Sequence, residues 1–79
     1  MRKSKDNLLK KLMRMRNVSQ YSLAKRLGMS AQQMNKRVNR RIFRNDELPV
    51  LSKLLGVPEG ELLEILKENN KTFLKIINR

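Results

Sequence analysis

The chain has no cysteine and no histidine in its 79 residues. The first absence excludes disulfides and any thiolate-held metal site. The second removes the commonest nitrogen ligand, the usual general base and every triad built on imidazole. Aromatic residues are scarce too, one Tyr and two Phe without Trp, so any core must be aliphatic and methionine-rich. The acids number seven and form no pattern that pairs them for proton transfer. These absences point away from an enzyme, and neither a cofactor nor a metal is expected. No apolar run approaches the roughly 20 residues of a membrane span. The basic start (Arg2, Lys3, Lys5) has no apolar segment of signal-peptide type behind it. A cytoplasmic protein without a membrane partner is the expectation. The length suits one domain and leaves no room for a separate ligand-sensing one.

What is abundant is positive charge, +12 overall, and it is segregated. Residues 1–45 hold fourteen Lys and Arg against one acid, Asp6, a net of +13; residues 46–79 hold five against six acids, a net of −1. Solubility alone requires no such division. A strongly basic half beside a near-neutral one is a footprint for a polyanion, nucleic acid ahead of anionic lipid.

Only three Gly and two Pro interrupt the chain, and no alternating run of strand type occurs. Periodicity and caps predict helices throughout. The first spans about Asp6 to Arg16, with Leu8, Leu9, Leu12 and Met13 inward, and Asn17-Val18 ends it. Ser19 caps a second, Gln20 to Leu27, with Leu23, Ala24 and Leu27 inward and Gly28 at its left-handed end. Ser30 and Gln33 fit a capping box opening a third, Ala31 to about Val38. Residues 39–45 read as a loop, with Ile42 and Phe43 anchored to the core. A fourth helix starts at Asn45 or Asp46, carries Pro49 in its first turn, turns Leu48, Leu51, Leu54 and Leu55 inward and stops at Gly56. Pro58 opens a fifth at its first-turn position, with Glu59 and Glu61 suited to the helix dipole. Leu62, Leu66, Asn69, Phe73 and Ile76 then follow a heptad-like spacing. Either one helix of about 20 residues runs to the end or Asn69-Asn70 divides it; the stripe favours continuity or a short kink.

The informative stretch is Ser19 to Asn39, SQYSLAKRLGMSAQQMNKRVN, two short helices around the turn Gly28-Met29-Ser30. Small Ala24 permits close crossing, and Leu23, Leu27, Met29 and Met34 fill the junction, which are the steric needs of a helix-turn-helix. The stretch resembles the helix-turn-helix of the phage repressor/Cro family, also called the XRE family. Counted from Gln20, Leu23, Ala24, Leu27, Gly28, Met29 and Met34 match its pattern. Arg37 departs at an apolar position, one residue before Val38, and Arg40 stands where a Gly is common, so the resemblance implies Asn39 in the left-handed conformation in its place. LPVLSKLLGVPEGELLEIL (Leu48–Leu66) resembles the family's fourth and fifth helices and the turn between them. The likeness covers about residues 7–66.

The resemblance implies an all-α, compact five-helix bundle of the lambda-repressor type, with a C-terminal helical extension possible. The divisions are a basic arm over 1–5, the DNA-binding domain over 6–67 and the extension over 68–79. It further implies double-stranded DNA as partner, with the third helix in the major groove. With Met34 and Val38 inward, the outward residues are Ser30, Ala31, Gln32, Asn35 and Lys36, which fall where the family reads bases. Gln33 is kept for the cap. Candidate phosphate partners are Ser19, Gln20, Lys25, Arg26, Arg37, Arg40, Arg41 and Arg44. Arg2, Lys3 and Lys5 form either an arm around the duplex or a non-specific tail. The C-terminal apolar surplus either folds back on the core or buries against a twin chain. The twin is favoured, with Leu66, Asn69, Phe73, Leu74, Ile76 and Ile77 as candidate dimer interface and Asn69 setting register.

The function expected is a transcription regulator, a repressor of prokaryotic, phage or mobile-element origin. A different class is a basic module for structured RNA or a protein partner, including antitoxin or phage-encoded inhibitor roles. The Gln/Asn/Lys outer face and the shortage of stacking aromatics argue against RNA. A membrane-surface role would rest on the basic helix LLKKLMRMR alone, and Leu8 and Leu12 have a core to join.

Overall fold

The apolar stripes become six helices and no strand among the residues that the computed structural model describes, 7–78. They are α1 (Leu8–Met15), α2 (Gln20–Leu27), α3 (Ala31–Arg40), α4 (Leu48–Leu55), α5 (Glu59–Leu66) and α6 (Asn70–Ile77). The basic arm proposed for residues 1–5 lies outside the described residues. An isolated helix of eight or ten residues is marginal in water, so these form because each buries a stripe that the others share. Leu9, Leu12, Leu23, Met34, Val38, Leu51, Leu55, Leu62 and Ile65 are fully enclosed, joined by Leu8, Met13, Ala24, Leu48, Val57 and Ile76. The helical faces read from the sequence are therefore the buried ones, with Leu27 and Leu54 half-buried at the edge.

Every helix from α1 to α5 ends in the same way. A residue with positive φ follows the last turn: Asn17 (61°), Gly28 (68°), Arg41 (57°), Gly56 (70°) and Glu68 (64°). In each case the next residue's N–H reaches back to a carbonyl in the last turn: Val18 to Met13, Met29 to Ala24, Ile42 to Arg37, Val57 to Ser52 and Asn69 to Glu64. This six-to-one closure satisfies carbonyls that a helix end would leave bare.

Three sequence expectations are corrected by these ends. Helix α3 runs two residues further than Val38, so Asn39 is helical and Arg41 takes the left-handed position in its place. Because the chain leaves α3 later, Ile42 points outward, 62% exposed, and Phe43 alone of the two packs against the core. The C-terminal stripe is not one helix. The chain reverses at Glu68, and Asn69 caps α6 by accepting from the N–H groups of Lys71 and Thr72. Smaller shifts concern α4, which starts at Leu48 with Pro49 second, and Pro58, which precedes α5 rather than lying in it.

Helix α6 packs on α1 and α5, and its residues divide. Ile76 enters the core and Phe73 lies against it, whereas Leu74 and Ile77 are 46% and 38% exposed.

The amino end of α1 is fixed by contacts distant in sequence. Asn7 is buried; its Oδ1 accepts from the Lys10 N–H at 2.8 Å while its Nδ2 donates to the Val38 carbonyl at 2.9 Å. Glu68 Oε2 accepts the Leu8 N–H at 3.1 Å. One short segment thus ties α1 to the end of α3 and to the turn before α6. Replacing Asn7 by Ala removes a helix cap and leaves the Val38 carbonyl without that donor. The expected cost is about 1–3 kcal/mol in urea denaturation, with an unchanged m-value; a loss below about 0.5 kcal/mol would show that the tie contributes little.

Candidate nucleic-acid interface

Helices α2 and α3 pack principally on each other. Ser19 starts the first, its Oγ accepting the Ser22 N–H at 3.0 Å. Gly28 reverses the chain at a φ that an L side chain adopts only with strain. Ser30 starts the second through a complete capping box: its Oγ accepts from the Gln33 N–H at 3.1 Å, and Gln33 Oε1 accepts from the Ser30 N–H at 3.2 Å. Gln33 is thereby occupied at the helix end, as its spacing suggested.

On α3 only Met34 and Val38 are buried. Ser30, Ala31, Gln32, Asn35 and Lys36, the residues proposed to read bases, are all exposed. The two extra residues of α3 make Asn39 helical and exposed as well. Its Nδ2 stands 3.4 Å from Asn35 Oδ1, one turn away on the same face. Asn39 was missed because the helix was ended at Val38. An adjoining pair of amides offers donors and acceptors toward base edges.

The candidate phosphate partners fall into separate groups. Arg37, Arg40 and Arg44 line one open groove of about 560 Å³ beside α3, together with Leu27, Met29 and the candidate base reader Lys36. Arg41 lies apart from that groove, its Nε 3.9 Å from Glu68 Oε2. Arg37 is held by Glu47, the two side chains 30% and 12% exposed. Arg44 faces Asp46 at 3.5 Å, but both are largely in solvent and the contact contributes little. Ser19 and Gln20 stand at the start of α2, where Gln20 shares a shallow groove with Lys10 and Arg14 of α1. Those two cations were not singled out from the sequence, although their spacing of four on the polar face of α1 could have placed them side by side. Lys25 lies over the Tyr21 ring at 5.4 Å from its centroid, and Arg26 is exposed.

The residues proposed for a dimer interface are not one surface. Ile76 is enclosed by its own chain, Leu66 and Phe73 lie against its core, and Asn69 is engaged as the α6 cap, its Nδ2 donating to Glu64 Oε1 at 2.7 Å. Asn69 is therefore not a register-setting residue of a continuous stripe. Leu74 and Ile77 remain on the outside.

The capping box separates neighbours that composition cannot. Ser30→Ala and Gln33→Ala should each cost about 1 kcal/mol in chemical denaturation. Gln32→Ala, one residue away, should stay within about 0.5 kcal/mol. Equal losses at positions 32 and 33 would contradict the assignment of Gln33 to the cap.

A family model described as the Cro/C1-type HTH DNA-binding domain matches residues 8–68, from the first residue of α1 to the turn before α6. No curated protein and no solved structure matches the chain. The match takes in all five helices of the bundle and leaves α6 beyond it. With its helix-turn-helix over α2 and α3, the chain belongs to the Cro/C1-type helix-turn-helix DNA-binding family.

Proposed function

We propose that this DNA-binding regulator recognises a specific operator in double-stranded DNA, laying α3 in the major groove with Gln32, Asn35 and Lys36 against base edges and Asn39 beside them. The exposed polar face of α3 carries this reading. Gln and Asn are matched to adenine by paired donor and acceptor, Lys to the guanine acceptors, and Ala31 to a thymine methyl. Lys10 and Arg14, with the Gln20 amide beside them, and Arg40 and Arg44 in the second groove supply partners for the phosphates.

The mode of action is occupancy. A repressor needs no chemistry, and the bound operator excludes other proteins from the same duplex. Neither catalysis nor a cofactor or metal enters this reading. The protein acts in the cytoplasm of a prokaryote, or of a host cell when phage-encoded. Leu74 and Ile77, exposed on α6, support a second copy as partner. A two-fold pair would read half-sites about 34–36 Å apart.

Affinity selection from a random duplex library tests the reading. A two-fold symmetric enriched site supports both operator and dimer, and a single half-site keeps the operator and removes the dimer. Binding without enrichment, or none, moves structured RNA or a protein partner to the front. On the selected site, Gln32→Ala should relax preference at one base position and cost about 1–3 kcal/mol. An unaltered preference would remove Gln32 from the reading set.

A further inference from the structure

Arg37 occupies the position of the helix-turn-helix at which the motif calls for an apolar side chain. Here a guanidinium lies there, 30% exposed, and the structure gives it a carboxylate, Glu47, that is buried further still. A part-buried cation needs such a partner, since desolvation without one is costly. The same Glu47 oxygen, Oε1, also accepts the Arg44 backbone N–H at 2.9 Å, and the Glu47 N–H donates to the Arg44 carbonyl at 2.9 Å. The Glu47 carbonyl in turn accepts the Leu51 N–H at 3.1 Å, in the first turn of α4. One residue therefore joins three pieces of chain: the side of α3, the connection after it and the start of α4.

Among the described residues lining the basic groove beside α3, Glu47 is the one carboxylate, set amid Lys36, Arg37, Arg40 and Arg44. On charge alone it opposes the approach of a polyanion. Its geometry does the reverse, because it fastens the connection that carries Arg44 to the side of α3, the helix that carries Lys36, Arg37 and Arg40. We propose that Glu47 is a positioning residue for DNA binding: through Arg37 and the Arg44 backbone it sets the α3–α4 connection so that Arg40 and Arg44 meet phosphates together, and Arg37 is the strut of this clamp rather than a phosphate ligand. This rests on the DNA-binding reading above.

The proposal makes a prediction opposite in sign to simple electrostatics. Glu47→Gln raises the net charge by one and removes a carboxylate from the basic face, which by charge counting tightens binding and steepens its salt dependence. The clamp predicts weakening instead. The test uses the full chain and the duplex enriched by selection, or a random-sequence duplex if none is enriched, titrated over a range of salt with circular dichroism as the check on folding. The expected result is at least about tenfold weaker binding and a log–log salt slope reduced by about 1–2, as Arg40 and Arg44 lose their joint register. Arg37→Met, which keeps an apolar stem, should weaken binding similarly, and the double variant should be no worse than either single one.

Amide exchange in the DNA-free protein supplies a readout independent of affinity. In Arg37→Met, the Arg44 amide should exchange at least about tenfold faster, because Glu47 is no longer anchored to α3; a phosphate ligand would leave it unchanged. This measurement also decides the matter if Glu47→Gln does not fold. Binding by Glu47→Gln as tight as the unaltered protein or tighter, additive losses in the double variant, or unchanged Arg44 exchange would each overturn the clamp. Failure of the unaltered chain to bind any duplex at low salt would overturn the DNA-binding reading itself and the clamp with it.

Discussion

Two buried side chains, Met34 and Val38, are all that anchors the ten residues of α3 by apolar contact. A helix that turns a polar face to solvent along its length cannot also carry a wide apolar stripe. Burial of two such side chains contributes about 1.5–3 kcal/mol each, less than would hold a helix of this length in one orientation against its ordering cost. The difference is made up by polar ties at both ends. The capping box fixes the amino end, and at the other end Asn7 takes the Val38 carbonyl, Glu47 takes Arg37, and the left-handed Arg41 closes the last carbonyls. The placement of the outward face follows from these ties. The rest of the bundle can be viewed as the scaffold that brings their partners within reach.

The way the helices end shows what could be read in advance. Five six-to-one closures require five left-handed residues. Gly28 and Gly56 announce themselves, since glycine adopts that conformation without a Cβ penalty, and Asn17 is nearly as permissive. These ends were legible. Arg41 and Glu68 adopt the same backbone with nothing in their side chains to favour it, so the periodicity ends α3 two residues early and favours no end for α5 before the C-terminus. Small errors there had large consequences. A helix ending at Val38 would leave Asn39 in the loop and Ile42 turned inward; two further helical residues put Asn39 on the helix and Ile42 in solvent. The spacing favours one stripe through α5 and α6 with Asn69 facing a partner, whereas the turn at Glu68 divides the two helices and makes Asn69 a cap.

Charge gives a parallel case. Along the sequence the two halves differ by fourteen units, from +13 to −1. In the fold, three acids of the near-neutral half sit against three arginines of the basic half: Glu47 with Arg37, Asp46 with Arg44 and Glu68 with Arg41. The count of cations therefore overstates the field around the α3–α4 connection and understates its order. What could be read was local: the turn, its two caps and the outward face, all within about twenty consecutive residues. What could not be read joins residues far apart, such as Asn7 with Val38 and Leu8 with Glu68, which no periodicity encodes.

Glu68 shows how such a long contact shapes the whole. It stands at the end of the family match, where the five-helix bundle would be complete. Its left-handed backbone turns the chain back, which brings α6 onto α1 and α5, and its carboxylate reaches the first N–H of α1 and faces the guanidinium that follows α3. A carboxylate at a helix amino end is favoured by the dipole as well as by the hydrogen bond. The same residue thus ends α5, starts the return of α6 and secures α1 beside the carbonyl end of α3. Once the chain has turned there, Ile76 falls into the core and Leu74 and Ile77 fall outside it, because residues one or two positions apart on a helix face different ways. The surface that α6 offers is therefore set by the turn at Glu68 together with the three-residue spacing of Phe73 and Ile76, which brings those two to the core and leaves Leu74 and Ile77 outside.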